Sequence, residues 1–179
     1  MNPESTRSGP RTLSERWSAI PEATILTRAE AADLCGGLRS EGFSVVFTNG
    51  CFDVVHAGHV HLLRTARSMG DRLIVGVNSD DSVRRLKGRG RPVNDLGSRL
   101  KVLSEFRSVD YLVPFQEDTP LLLIREIRPD VLVKGGDYTE DAVVGGSSVI
   151  AAGGRVAIVP LLSGFSSTGV IRSLNGRKE

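Results

Sequence analysis

Five short apolar runs rich in β-branched residues constrain this chain more than any other feature: Phe43–Thr48, Leu73–Val77, Val109–Val113, Asp130–Val133 and Val156–Pro160. Their starts lie 30, 36, 21 and 26 residues apart. A hairpin is closed by a few residues, whereas two parallel strands need a crossover of a dozen or more, usually a helix. The spacing therefore predicts a parallel sheet, and the segments between the runs carry helical signals. Thr27 and Glu30 form a capping-box signature ahead of Ala31, Ala32, Leu34 and Leu38, and Gly42 stops that helix. Leu62, Ala66 and Met69 trace one apolar face, and Leu96, Leu100, Leu103 and Phe106 trace another. Thr119 reads as an N-cap with Pro120 at the first helical position, and Pro129 ends that helix. The predicted architecture is α/β, a doubly wound, Rossmann-like parallel sheet of about five strands. In such sheets ligands bind beyond the carboxyl ends of the strands.

At 179 residues, with 40% hydrophobic and 25% charged side chains, the chain can bury one substantial core. Residues 1–22 hold Pro3, Gly9, Pro10 and Pro21 among Ser, Thr and Arg, and read as a disordered tail ahead of a domain over 23–179. Cys35 and Cys51 are too few for a disulfide framework and lack C-x-x-C spacing. With no apolar signal region and no run of about 18 apolar residues, the expectation is a cytoplasmic protein that does not engage a membrane. The 23 Lys and Arg against 21 Asp and Glu leave a net charge of +2, too balanced for nucleic-acid binding by bulk charge, so any phosphate site must be local. Homo-oligomerisation is compatible with the sequence, which does not decide it.

All three histidines, His56, His59 and His61, fall within six residues just after the first run. His56-Ala57-Gly58-His59 sits where a strand should turn into a helix near Gly58, bringing imidazoles together with the free N–H groups of a helix N-terminus. That combination suits an anion. His61 alone reads as an outward-facing helical residue, and a metal alternative would draw on His56, His59 and His61 with Asp53 or Cys51, in no familiar zinc spacing. A second basic cluster spans Arg84, Arg85, Lys87, Arg89 and Arg91, with Gly88 and Gly90 letting the backbone bend toward a ligand. Read alone it is a solvated loop; after the second strand it becomes a clamp for phosphate.

Four strings carry a resemblance: T-N-G-C-F-D-V-V-H-A-G-H, V-N-S-D-D-S-V-R-R-L-K-G-R-G-R-P-V-N, V-K-G-G-D-Y and F-S-S-T-G-V-I. In this order they resemble the H-x-G-H nucleotidylyltransferases, a cytidylyltransferase-like class, and within it the heptose 1-phosphate adenylyltransferases of ADP-heptose synthesis. The resemblance runs from about Thr27 to Arg172. It implies catalytic roles for His56, His59 and Lys87. It implies nucleotide contacts at Thr48, Asn49, Gly50, Phe52, Gly58 and Arg99, with Ser166, Ser167 and Thr168 near the end of the chain. Asp53, Lys134, Gly135 and Asp137 are implied as acceptor contacts. This chain carries Ser166-Ser167-Thr168-Gly169 where relatives carry Ser-Thr-Thr-Asn, and Gly169 supplies no side chain. The sugar-kinase domain often fused ahead is not present in these residues, which implies the stand-alone form.

The implied reaction joins ATP and a sugar 1-phosphate, with Mg²⁺ held mainly by substrate phosphates, into an ADP-sugar and pyrophosphate. The nucleophile is already anionic, because a phosphomonoester's second pKa lies near 6, so donors that align and stabilise charge matter more than a base. A rival enzyme would use CTP with glycerol 3-phosphate or another small phosphate ester. A dinucleotide oxidoreductase fits poorly, since no G-x-G-x-x-G follows the first strand. A nucleic-acid module fits poorly with 5% aromatic content.

Overall fold

The computed structural model describes residues 22–136, 138–160, 162, 167, 169 and 171. The elements in chain order are β1 (Thr24–Ile25), α1 (Arg28–Ser40), β2 (Val45–Gly50), α2 (Ala57–Arg67), β3 (Arg72–Asn78), α3 (Asp80–Lys87), α4 (Leu96–Ser104), β4 (Tyr111–Phe115), α5 (Leu121–Ile127), β5 (Val131–Gly135), a 3₁₀ turn over Glu140–Ala142, α6 (Gly146–Ala151) and β6 (Arg155–Val159). The strands form one parallel sheet in the order β1-β4-β3-β2-β5-β6. All five expected strands are present. The sixth, β1, is only two residues long and exposed on the sheet edge, too short to leave a periodic signal.

The sheet is buried on both faces, and for that reason its strands read as continuous apolar runs. Alternation along β2 sends Val46 to a core with Leu63, Ala66, Leu100 and Leu103 of α2 and α4. Val45 and Phe47 go to the opposite core, with Ala31, Cys35, Ile124 and Ile127 of α1 and α5. α1 keeps its expected limits: Thr27 and Glu30 cap each other reciprocally. At its end Gly42, at φ +81°, lets its own N–H reach Arg39 O and lets Phe43 N–H reach Leu38 O, a Schellman closure. Aspartates tie the amino ends of the strands, Asp130 accepting from Val45 N–H and Asp110 from Leu73 N–H. The carboxyl ends are left open for a ligand.

Two local expectations shift. α5 begins one residue later than expected, with Pro120 itself at the N-cap and no side-chain cap. Pro129 does close it, just after Arg128 in the left-handed region. The basic cluster is not wholly a loop either. Ser79 caps α3 and Asp80 and Asp81 occupy its first turn, so Arg84, Arg85 and Lys87 are helical and the irregular segment starts at Gly88. Among the described residues no helix is long and apolar enough to cross a membrane.

Candidate active site

From β2 the chain winds outward through β3 to β4 on one side, and on the other side the sheet continues with β5 and β6. The crevice at that reversal, beyond the ends of β2 and β5, holds a cleft of about 550 Å³. Asn49, Gly50 and Cys51 form its floor with Lys134 and Gly135, and His56, Gly58, His59, Lys87 and Arg91 line it. Two glycines are needed for close approach. A Cβ on Gly50 would meet the Phe52 ring at 3.1 Å, and one on Gly135 would meet Leu62 at 3.2 Å.

The histidine junction shows why the two imidazoles are three residues apart. His56 is the N-cap of α2 and His59 is its third helical residue, and the two rings exchange cap bonds. Gly58 N–H donates to His56 Nδ1 at 3.2 Å, and His56 N–H donates to His59 Nδ1 at 3.3 Å. This is a capping box built from imidazoles. With Nδ1 accepting, a neutral ring carries its proton on Nε2, so the fold sets both histidines as N–H donors. The rings stack with centroids 3.9 Å apart, and Phe52, held at φ +47°, packs 5.1 Å from His59. Burial pushes the His59 pKa down to about 4, helped by His56, and burial lowers that of His56 as well. Both rings are therefore neutral near pH 7. His61 lies outside the cleft lining, as its outward-facing reading expected.

The cations arrange themselves around the same floor. Lys134 Nζ lies 3.4 Å from Asn49 Oδ1 and 5.8 Å over the Tyr138 ring, and burial lowers its pKa, with the Lys87 charge adding to the effect. Of the basic cluster, only Lys87 and Arg91 reach the cleft. Arg84 pairs with Asp81, while Arg85 pairs with Asp118 and donates to Gln116 O. Ser167 donates to Val54 O at the cleft edge. Asp137, Ser166 and Thr168 lie outside the described residues.

Two expected contacts lie outside the cleft lining, and a third lines it with its carboxylate engaged. Thr48 follows the alternation of Val46 into the core; it is wholly buried, away from the cleft lining, and its hydroxyl has no hydrogen-bond partner among the described residues. Arg99 does not face the cleft. Its guanidinium is buried and donates to Cys51 O, Asn94 O and Asp80 Oδ1 at 2.6, 3.1 and 2.8 Å, fastening the β2 loop to α3. Asp53 lines the cleft, but its carboxylate is already engaged, accepting from Arg91 Nε, Val93 N–H and Asn94 N–H. Sequence reasoning gave Cys51, Asn78 and Tyr138 no nucleotide or acceptor contact, although all three lie inside the quoted strings and line the cleft. Among the described residues no three His, Cys, Asp or Glu side chains gather as a metal site.

Residues 47–172, which hold the whole cleft, match the family model described as cytidylyltransferase-like. The chain belongs to the cytidylyltransferase-like family. It is 58% identical over 150 residues to the bifunctional protein HldE of Mesorhizobium japonicum, covering 84% of this chain and 30% of that protein. It is 52% identical over 163 residues to the bifunctional protein HldE of Coxiella burnetii, covering 91% and 33%. The chain thus spans about a third of the length of these curated relatives. Among solved structures, the lipopolysaccharide core biosynthesis protein from Thermoplasma volcanium GSS1 is 30% identical with a TM-score of 0.56, the match covering 68% of this chain and 98% of that one. In this family frame the imidazole-capped helix and the cationic floor are two parts of one crevice.

Proposed function

We propose that the chain is a cytoplasmic nucleotidylyltransferase that moves an adenylyl group from ATP to a sugar 1-phosphate, heptose 1-phosphate, releasing pyrophosphate. The observation that carries this reading is the reciprocal His56–His59 cap, which fixes two neutral N–H donors at the mouth of a cationic crevice. Adenine and heptose rest on the motif resemblance and on identities of 52–58% to the HldE proteins.

An oxygen of the acceptor phosphate attacks the α-phosphorus of ATP, the bond from that phosphorus to the bridging oxygen of pyrophosphate breaks, and negative charge moves onto the leaving group. His56 and His59 offer ring donors already oriented for that charge, with the positive end of the α2 dipole beside them, so little reorganisation is needed as it develops. Lys87 and Lys134 hold phosphate oxygens and align the two substrates. The described lining is rich in donors rather than hard oxygen ligands: Asp53 is engaged by three protein donors and Asp118 by Arg85. A Mg²⁺ ion would be held mainly by substrate phosphates and water rather than by these side chains, and would neutralise charge on the triphosphate.

The test is incubation with Mg²⁺, each nucleoside triphosphate in turn and a panel of sugar phosphates, with products identified by mass. ATP with heptose 1-phosphate should give ADP-heptose and pyrophosphate. A catalytic efficiency for CTP or GTP well above that for ATP would remove the adenylyl assignment.

A further inference from the structure

Arg91 is a mostly covered cleft cation whose donors the protein engages only in part. Its side chain is 12% exposed, and its Nε donates to Asp53 Oδ2 at 2.5 Å, against a carboxylate that is 0% exposed. The second Asp53 oxygen is taken by Val93 and Asn94 N–H, so the guanidinium meets the carboxylate through Nε alone. Nη1 and Nη2 have no hydrogen-bond partner among the described residues, and Arg91 lines the cleft. The outer N–H groups of this guanidinium are left to the cleft, and its fork matches two oxygens of a phosphate.

Two more cations share its surroundings. Lys87 and Lys134 line the same cleft as Cys51. Burial pushes the Cys51 thiol up, the charges of Lys87, Arg99 and Arg91 oppose that shift, and the thiol in turn acts on Lys134. If the histidine junction serves the triphosphate, a second polyanion brought beside it needs cations of its own, or the two substrates repel each other. We propose that Arg91, with Lys87 and Lys134, forms a single subsite beside Cys51 for the acceptor's phosphomonoester, and that Asp53 is the positioning residue that presents Arg91 to it. This assignment rests on the reading of the crevice as a site for two phosphorylated substrates.

Cys51 supplies a reporter that does not depend on turnover. Cys35 is fully buried with its thiol pushed up to about 11, so iodoacetamide should label Cys51 selectively. Inorganic phosphate is the probe, and labelling rates with and without it are compared within each variant by mass. In the wild-type chain phosphate should slow labelling saturably, while chloride at equal ionic strength should not. Arg91→Lys keeps a charge against Asp53 but loses the fork, and should raise the protecting phosphate concentration about tenfold, as should Arg91→Gln. Asp53→Asn should do the same while leaving Arg91 in place. In turnover, Arg91→Lys should raise KM for the sugar phosphate and leave KM for ATP within roughly twofold.

Phosphate that fails to protect Cys51, protects both Arg91 variants as well as wild type, or is matched by chloride would overturn the subsite. Arg91-dependent protection in a protein that transfers no nucleotide to any sugar phosphate would keep the anion subsite and sink the enzymatic reading instead.

Discussion

The histidine junction and the basic segment both bear on phosphate, but the fold treats them in opposite ways. His56 and His59 are neutral, stacked and held by reciprocal backbone bonds at the start of an eleven-residue helix. The basic segment places five cations along one helix end and the turn after it, and four of them divide: Arg84 and Arg85 pair with Asp81 and Asp118, while Lys87 and Arg91 line the cleft. The difference separates two tasks. Orienting donors for charge that develops only during reaction rewards rigidity, whereas attracting charge already present in the substrates needs only cations within reach.

The largest effect should therefore follow from His59→Ala. Its turnover number should fall by on the order of 10²–10³, the range seen when one preorganised donor is removed, with smaller changes in the Michaelis constants. His56→Ala should behave similarly and His61→Ala should be mild. Each of the first two also removes a helix cap, so a loss of about 1 kcal/mol in unfolding free energy should accompany the kinetic loss. A rise in Michaelis constants with an unchanged turnover number would place the histidines with the binding cations and erase the contrast.

Lys87→Ala comes next. An ammonium that touches the ground-state acceptor phosphate should appear mainly in the Michaelis constant for the sugar phosphate, about tenfold for one charge-assisted contact. Steady-state kinetics on both substrates checks this, and a pure loss of turnover number would move Lys87 to the histidine side of the comparison.

Acid stability sharpens the same contrast without kinetics. The folded pKa of His59 lies near 4 against an ordinary 6.5, so between these values the unfolded chain binds more protons than the folded one. Stability rises with pH wherever the unfolded state is the more protonated, so this contribution is fully present above pH 6.5 and is lost as pH falls toward 4. Chemical denaturation across that window should show a steeper fall for wild type than for His59→Ala. Equal slopes would mean that His59 is not held neutral by burial.

The sequence made the parallel sheet legible because strands buried on both faces need unbroken apolar runs, and long crossovers fix their direction. It also located the histidines, since three in six residues stand out without any fold. What stayed hidden was the direction of single side chains. Arg99 and Lys87 look alike in a string, yet one is buried among three acceptors from separate segments and the other opens to the cleft. Thr48 sits inside a motif, but the two-residue period of β2 turns it into the core. Those outcomes depend on contacts between distant segments, such as Arg99 with Cys51 or Asp53 with Asn94, which no local pattern encodes.

The smallest effect should come from Arg84→Ala, and its smallness is informative. Arg84 is one helical turn before Lys87 and carries the same charge, so a clamp that worked through bulk positive potential would feel its loss almost as strongly. In the fold its guanidinium is exposed and pairs with Asp81 on the same helix. Such exposed pairs contribute little to stability, and at physiological salt their field is screened. Both Michaelis constants should therefore stay within about twofold of wild type, against a rise of about tenfold in that for the sugar phosphate with Lys87→Ala. The measurement is most telling at two ionic strengths. If the Arg84 effect approaches that of Lys87 at low salt and vanishes at high salt, long-range steering rather than contact is what the basic segment provides. If it is small at both, the division between cations paired with carboxylates and cations lining the cleft is what distinguishes those that act from those that do not.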